Sequence, residues 1–164
     1  MTDPQIRPPQ AADAEALSSL ARDIWHAHYP GIISSAQIEF MLAQRYPPQA
    51  IRERIAEWDV AWRDGKPIGF AHSFAADTHG AWNLDKLYVH PHHQRQGVGR
   101  ALLNAVRNRA LAAGARWMTL RVYRQNHSAL AAYAQYGFRM TGEHVLDIGQ
   151  SFVMDDYLME LTLE

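Results

Sequence analysis

Two short stretches concentrate the residues that could hold phosphate and move a proton. Gln94-Arg95-Gln96-Gly97-Val98-Gly99-Arg100 follows the apolar run Leu84-Asp85-Lys86-Leu87-Tyr88-Val89 through His90-Pro91-His92-His93. Glycines at 97 and 99 let a backbone come close to a ligand. The first amides of a following helix aim at anionic oxygens, and Arg95 and Arg100 add charge beside them. The second stretch, Asn126 to Phe138, carries Asn126, Ser128 and Tyr133 ahead of Gly137-Phe138. Asn126 and Tyr133 stand seven residues apart, on one face of a helix.

Other phosphate cradles are distinguished by their companion residues. A P-loop needs a lysine and a hydroxyl directly after its glycines, and here Arg100-Ala101 follows Gly99. A dinucleotide fingerprint needs a third glycine, and Leu102 stands at that place. What remains is Gln-x-x-Gly-x-Gly directly after a strand. The histidines at 90, 92 and 93 sit beside a proline without a carboxylate or cysteine cluster, so no metal site is expected. A loop covering the phosphate end of a ligand is the better reading of them.

These stretches require positioning elements. Ile6-Arg7 reads as a short strand, and Asp13 as the N-cap of a helix burying Leu17, Leu20, Ala21, Ile24 and Trp25. Pro30-Gly31 breaks it, and Ser34 to Gln37 reads as a capping box for a second helix, with Ile33 and Ile38 as its hydrophobic staple. Pro47-Pro48 ends that helix, and Gln49 to Glu57 can add one or two turns. Three consecutive antiparallel strands are then expected: Val60 to Trp62, Ile68 to Phe74 after the Asp64-Gly65 turn, and Trp82 to Val89.

The clearest helix follows Gly97, with Val98, Ala101, Leu102, Ala105, Val106 and Ala110 on one face and Gly114 as its stop. Trp117 to Tyr123 is a strand that turns Met118, Leu120 and Val122 to one side. Asn126 to Tyr136 is a helix, and Phe138 to Val145 and Phe152 to Leu163 are strands. In the last, Tyr157, Met159, Leu161 and Leu163 are expected on a buried face and Leu158, Glu160 and Thr162 on a wetter one. The fold class is mixed α/β (α+β), a mostly antiparallel sheet with a parallel centre and helices on both faces.

Composition bounds the function. A chain of 164 residues fits one domain, residues 1–164. A net charge of -1 gives no basic face for nucleic acid. The absence of cysteine excludes disulfides, zinc thiolates and a cysteine nucleophile together. No membrane span or secretory signal is read, so a cytoplasmic protein is expected.

Taken with the strand order, the two motifs resemble those of the GNAT superfamily of acetyl-CoA-dependent N-acetyltransferases. In that family Gln/Arg-x-x-Gly-x-Gly/Ala binds the coenzyme A pyrophosphate, and an Asn-x-x-Ala-x-x-x-Tyr helix before Gly-Phe lies beside the pantetheine arm. The resemblance extends from the opening helix to the final strand. A softer likeness, through Trp25 to Met41, Thr141-Gly142-Glu143-His144 and Asp155 to Glu160, is to PaiA-type spermidine and spermine acetyltransferases.

The resemblance implies roles. An alkylammonium with a pKa near ~10.4 is neutral in only about one molecule per thousand at pH 7, so something must take its proton. Asp85, on the pleat face of Leu87 and Val89, is the candidate base, with a solvated strand aspartate or a water chain as alternatives. Tyr133 matches the family's general acid, against plain core packing. The amide at Val89 or its neighbour would hold the thioester carbonyl. Leu87, Tyr88, Val89, Gln94 to Arg100, Asn126 and Ser128 would bind acetyl-CoA, Asn126 through the pantetheine amides unless it only caps its helix.

Trp25, His28 and Tyr29 would line the acceptor groove, suited to a polyamine's methylenes and ammonium groups, unless they are only core. Glu39, Asp77, Asp155 or Asp156 would take distal ammoniums. The acceptor expected is a primary amine of a small molecule, with a peptide or protein amine as the alternative within the enzyme class. A non-catalytic acyl-CoA sensor is the alternative outside it. A homodimer is slightly favoured.

Overall fold

The computed structural model describes residues 2–164. Among them the elements run β1 (Gln5–Arg7), α1 (Ala14–His28), α2 (Ser35–Arg45), α3 (Pro48–Glu53), β2 (Trp58–Arg63), β3 (Lys66–Ala75) and β4 (Ala81–Val89). They continue with α4 (Val98–Ala112), β5 (Trp117–Tyr123), α5 (His127–Tyr136), β6 (Arg139–Gly149) and β7 (Phe152–Thr162). The strands are hydrogen-bonded in the order β1-β2-β3-β4-β5-β7-β6. Pairs β1–β2, β2–β3, β5–β7 and β6–β7 are antiparallel and β4–β5 is parallel, the mixed sheet that the sequence predicts. The chain forms two compact units, one comprising the segment through Ser73 with Lys86–Val106, the other Phe74–Asp85 with Arg107–Glu164.

In the first unit α1 buries Leu17, Leu20, Ala21, Ile24 and Trp25, the face its spacing predicts. Asp13 occupies the N-cap position of α1, as expected, but makes no cap bond to it: at the end of a short 3-10 turn, its carboxylate accepts from the Gln10 amide behind it at 2.8 Å. Ser34 does cap α2, its hydroxyl accepting from the Gln37 amide at 3.1 Å. The β2–β3 hairpin turns through Asp64 and Gly65 with φ of +51° and +76°, both left-handed as a type I′ turn requires.

Gly69 explains how closely β3 lies against its neighbours. A Cβ there would meet the Tyr88 carbonyl oxygen at 3.0 Å and Leu102 Cδ1 at 3.3 Å. Leu102 of α4 is 0% exposed, so this residue, which removes the third glycine of a dinucleotide motif, is a core contact. Burying such a side chain contributes about 1.5–3 kcal/mol.

In the second unit Met118, Leu120 and Val122 are buried along one side of β5, as alternation predicts. β7 keeps its expected parity: Tyr157, Met159 and Leu161 stand opposite Val122, Leu120 and Met118 of β5, and Met159 and Leu163 are buried. Met154 and Asp156, on the opposite face, are buried as well, so that face is drier than expected at its start. β6 also runs past Val145 to Gly149, where Asp147 Oδ1 accepts from the Gly149 amide at 2.9 Å. Left-handed Gln150 and Ser151 then turn the chain, so a segment with loop composition is a strand and a tight turn.

Candidate active site

The phosphate turn is built at the end of β4. The His90 amide donates to the Ile68 carbonyl at 2.8 Å, Pro91–His93 makes a single 3-10 turn, and α4 begins at Val98. Arg95 and Gly97 are left-handed, with φ of +60° and +83°. A Cβ on Gly97 would meet nothing within 4 Å, and one on Gly99 would meet only Val89 Cγ2 at 3.8 Å. The turn therefore offers an open, side-chain-free surface at the first amides of a helix, with Arg95 and Arg100 exposed beside it. This chemistry fits the pyrophosphate of coenzyme A.

The two glutamines of the motif are occupied within the turn. Gln94 Nε2 donates to the Val89 carbonyl at 3.1 Å, and Gln96 Nε2 reaches the His92 carbonyl at 3.5 Å. Gln96 Oε1 accepts from Arg63 Nη1 at 2.7 Å. Both side chains thus stiffen the loop from within. Arg63, 8% exposed at the end of β2, is a residue that sequence reading missed. It also donates to His93 Nδ1 at 2.8 Å. An arginine cannot accept, so His93 must be unprotonated at Nδ1. Burial first, and then the positive charge of Arg63 and of His90 and His92, hold the His93 pKa below its usual value.

Side chains along the second half of β4 alternate. Tyr88 joins the aromatic cluster of α1: its hydroxyl lies 2.8 Å from that of Tyr29 and its ring 5.7 Å from Trp25. Lys86 Nζ, on the same parity, lies 5.6 Å from the centre of the Tyr46 ring. Val89 lies beside Gly99 of α4, and Leu87 and Asp85 share its parity.

Of the expected acceptor residues, Trp25 and Tyr29 are 1% and 2% exposed, packed together with ring centres 4.3 Å apart. His28 is half-buried and meets Tyr29 edge-on at 4.8 Å. The three are brought together, with His28 the most accessible. Glu39 is held by His26 at 2.6 Å and Arg22 at 3.2 Å.

The second unit holds the helix motif. Asn126 occupies the N-cap position of α5 but makes no side-chain cap bond. It is buried, and its Oδ1 accepts from the Ser128 hydroxyl at 3.4 Å. Tyr133 is 8% exposed, with its ring edge-on to Phe138 at 5.6 Å. Burial pushes its pKa well above the usual value, so the phenol keeps its proton at neutral pH. Asp85 is half-buried, Asp156 is buried, and Asp155 pairs with Arg124 at 3.1 Å. Among the described residues no three His, Asp or Glu side chains gather as a metal site, and no helix is long and apolar enough to cross a membrane.

The sequence pattern of the Acetyltransferase (GNAT) family matches residues 17–138. The spermidine N(1)-acetyltransferase of Thermoplasma acidophilum is 26% identical over 159 residues, covering 92% of this chain and 95% of that one. The crystal structure of the PaiA N-acetyltransferase from T. acidophilum in complex with coenzyme A superposes with a TM-score of 0.81 at 25% identity, covering 98% and 99% of the two chains. A GCN5-related N-acetyltransferase from Rhodopseudomonas palustris shares the fold, with a TM-score of 0.84 at 22% identity over 99% and 98%. The open glycine turn after β4, the Asn126–Tyr133 helix and the family match lead to one conclusion: the chain belongs to the GNAT family and is an N-acetyltransferase with acetyl-CoA as its cosubstrate.

Proposed function

We propose that this enzyme acetylates a primary amine of a small, polyamine-like molecule by direct attack while both substrates are bound. The observation that carries the reading is the likeness, over nearly its whole length, to a spermidine N(1)-acetyltransferase. Residues 1–164 act as one catalytic domain in this reading, working in the cytoplasm, with a homodimer favoured.

Acetyl-CoA supplies an acetyl group already activated as a thioester. The chain binds it through the backbone of Gln94 to Arg100 and the adjoining Leu87, Tyr88 and Val89, and through Asn126 and Ser128. Asp85, directly or through water, takes the ammonium proton, without which the amine has no free electron pair. The amide at Val89 or its neighbour holds the thioester carbonyl. Tyr133, protonated at neutral pH, gives a hydrogen bond or its proton to the departing thiolate, a role that rests on its place in the helix motif. Most of the acceleration comes from holding amine and thioester together. His28, beside the packed pair Trp25 and Tyr29, contributes to the acceptor wall, and Glu39, Asp77, Asp155 and Asp156 are the candidates for distal ammoniums.

The test is acetyl-CoA with a panel of spermidine, spermine, a lysine peptide and a peptide with a free N-terminus, following thiol release. Fastest release with the polyamines is expected. Release with peptides alone would replace the acceptor class and leave the enzyme class intact.

A further inference from the structure

Arg63 is a buried cation placed behind an anion-binding turn. Its Nε donates to the Thr2 carbonyl at 2.9 Å, and its Nη1 donates to Gln96 Oε1 at 2.7 Å and to His93 Nδ1 at 2.8 Å. Those partners are a peptide carbonyl, a carboxamide and an imidazole. Among the described residues no carboxylate pairs with it, although it is 8% exposed. Removing a guanidinium from water without a counter-charge is costly, and such groups are ordinarily paired. The turn it grips contains left-handed Arg95, whose conformation costs an L-residue about 1–2 kcal/mol and persists only when its surroundings hold it.

We propose that Arg63 is the positioning residue of the coenzyme A turn: bonded to Gln96 and His93, it fixes the shape in which the Gln94–Arg100 amides face the pyrophosphate, whose charge compensates the buried guanidinium. The inference rests on the acetyl-CoA reading of that turn. It assigns Arg63 no contact with the reacting atoms. Its effect is on ligands that carry the pyrophosphate, because only they use the turn.

That selectivity gives the test. Calorimetric titration with coenzyme A and with pantetheine, which lacks the pyrophosphate, is made on wild type, Arg63→Met, Arg63→Lys and Gln96→Leu. Arg63→Met is expected to weaken coenzyme A binding by about tenfold, the scale of losing hydrogen bonds to a charged group, with pantetheine unchanged. Arg63→Lys, which keeps the charge but not the fork, falls between. Gln96→Leu removes the acceptor and leaves the cation, so it gives a smaller loss in the same direction. It reports even if Arg63→Met fails to fold. Equal weakening of both ligands, or coenzyme A binding unaltered in the Arg63 variants, overturns the inference alone. Wild type that bound pantetheine and coenzyme A equally would overturn the pyrophosphate reading and the inference with it.

Discussion

The Gln94 side chain donates from Nε2 to the Val89 carbonyl oxygen at 3.1 Å, tying the first residue of the phosphate turn to the last residue of β4. The strand that would present the thioester and the turn that would anchor its phosphates thereby become one rigid piece. Gln94→Ala should cost about 1 kcal/mol of that coupling, hence roughly a fivefold rise in the KM for acetyl-CoA with turnover little changed. Steady-state kinetics at saturating acceptor would read it. Equal losses in KM and kcat would mean that the bond supports the reacting centre.

Tyr133 is separable from its packing because phenylalanine keeps the ring against Phe138 and removes only the hydroxyl. Tyr133→Phe should lower turnover by roughly a hundredfold, the lower range for general acid catalysis, with little change in acetyl-CoA affinity. Since burial raises the Tyr133 pKa above its usual value near 10, the wild-type rate should show no alkaline fall from this group below pH 10. Wild-type turnover in the phenylalanine variant across pH would reduce Tyr133 to a core residue.

Glycines 97 and 99 should fail in different ways. Gly97→Ala finds open space but keeps a φ of +83°, so its cost is backbone strain of about 1–2 kcal/mol, visible as a lower melting temperature. Gly99→Ala lies in α4 with only Val89 Cγ2 at 3.8 Å, so stability should hold or rise. Coenzyme A binding should nonetheless weaken, because the new methyl stands where backbone meets phosphate. Denaturation and titration on the two variants separate strain from access. Undiminished binding by Gly99→Ala would mean that no ligand approaches there.

What the sequence disclosed follows the range of the forces involved. The α1 stripe, the β5 alternation, the Asp64-Gly65 turn and the Gly97–Gly99 cradle are local patterns, and each is found where its spacing places it. Arg63 was illegible because its partners His93 and Gln96 are 30 and 33 residues away, and beside Asp64-Gly65 it looks like the solvated flank of a hairpin. Trp25 reads more readily as core than as groove wall, and its packing against Tyr29 and Tyr46 at 1% exposure places it in the core. The burial of Met154 and Asp156 on the face of β7 expected to be wetter comes from packing that alternation along one strand does not contain.

The Arg63–His93 contact should make coenzyme A binding sensitive to acid. His93 accepts through Nδ1, so an imidazolium there would set two donors against each other. Burial, then Arg63, His90 and His92, lower its native pKa below the ordinary 6.5. Between those two values the unfolded chain carries the proton and the native chain does not, so stability falls as pH drops through 6.5 and levels only below the native pKa. Above 6.5 the group contributes no slope. Coenzyme A affinity should weaken only as pH falls further, through the native pKa, where the native imidazole itself takes up the proton. His93→Gln offers Arg63 a carboxamide acceptor at every pH, so it should match wild type at pH 8 and bind more tightly once pH falls below the native His93 pKa. Because the phosphates of coenzyme A titrate identically in both titrations, the difference between the proteins isolates the imidazole. Parallel pH curves for the two would show that the turn keeps its shape with His93 charged.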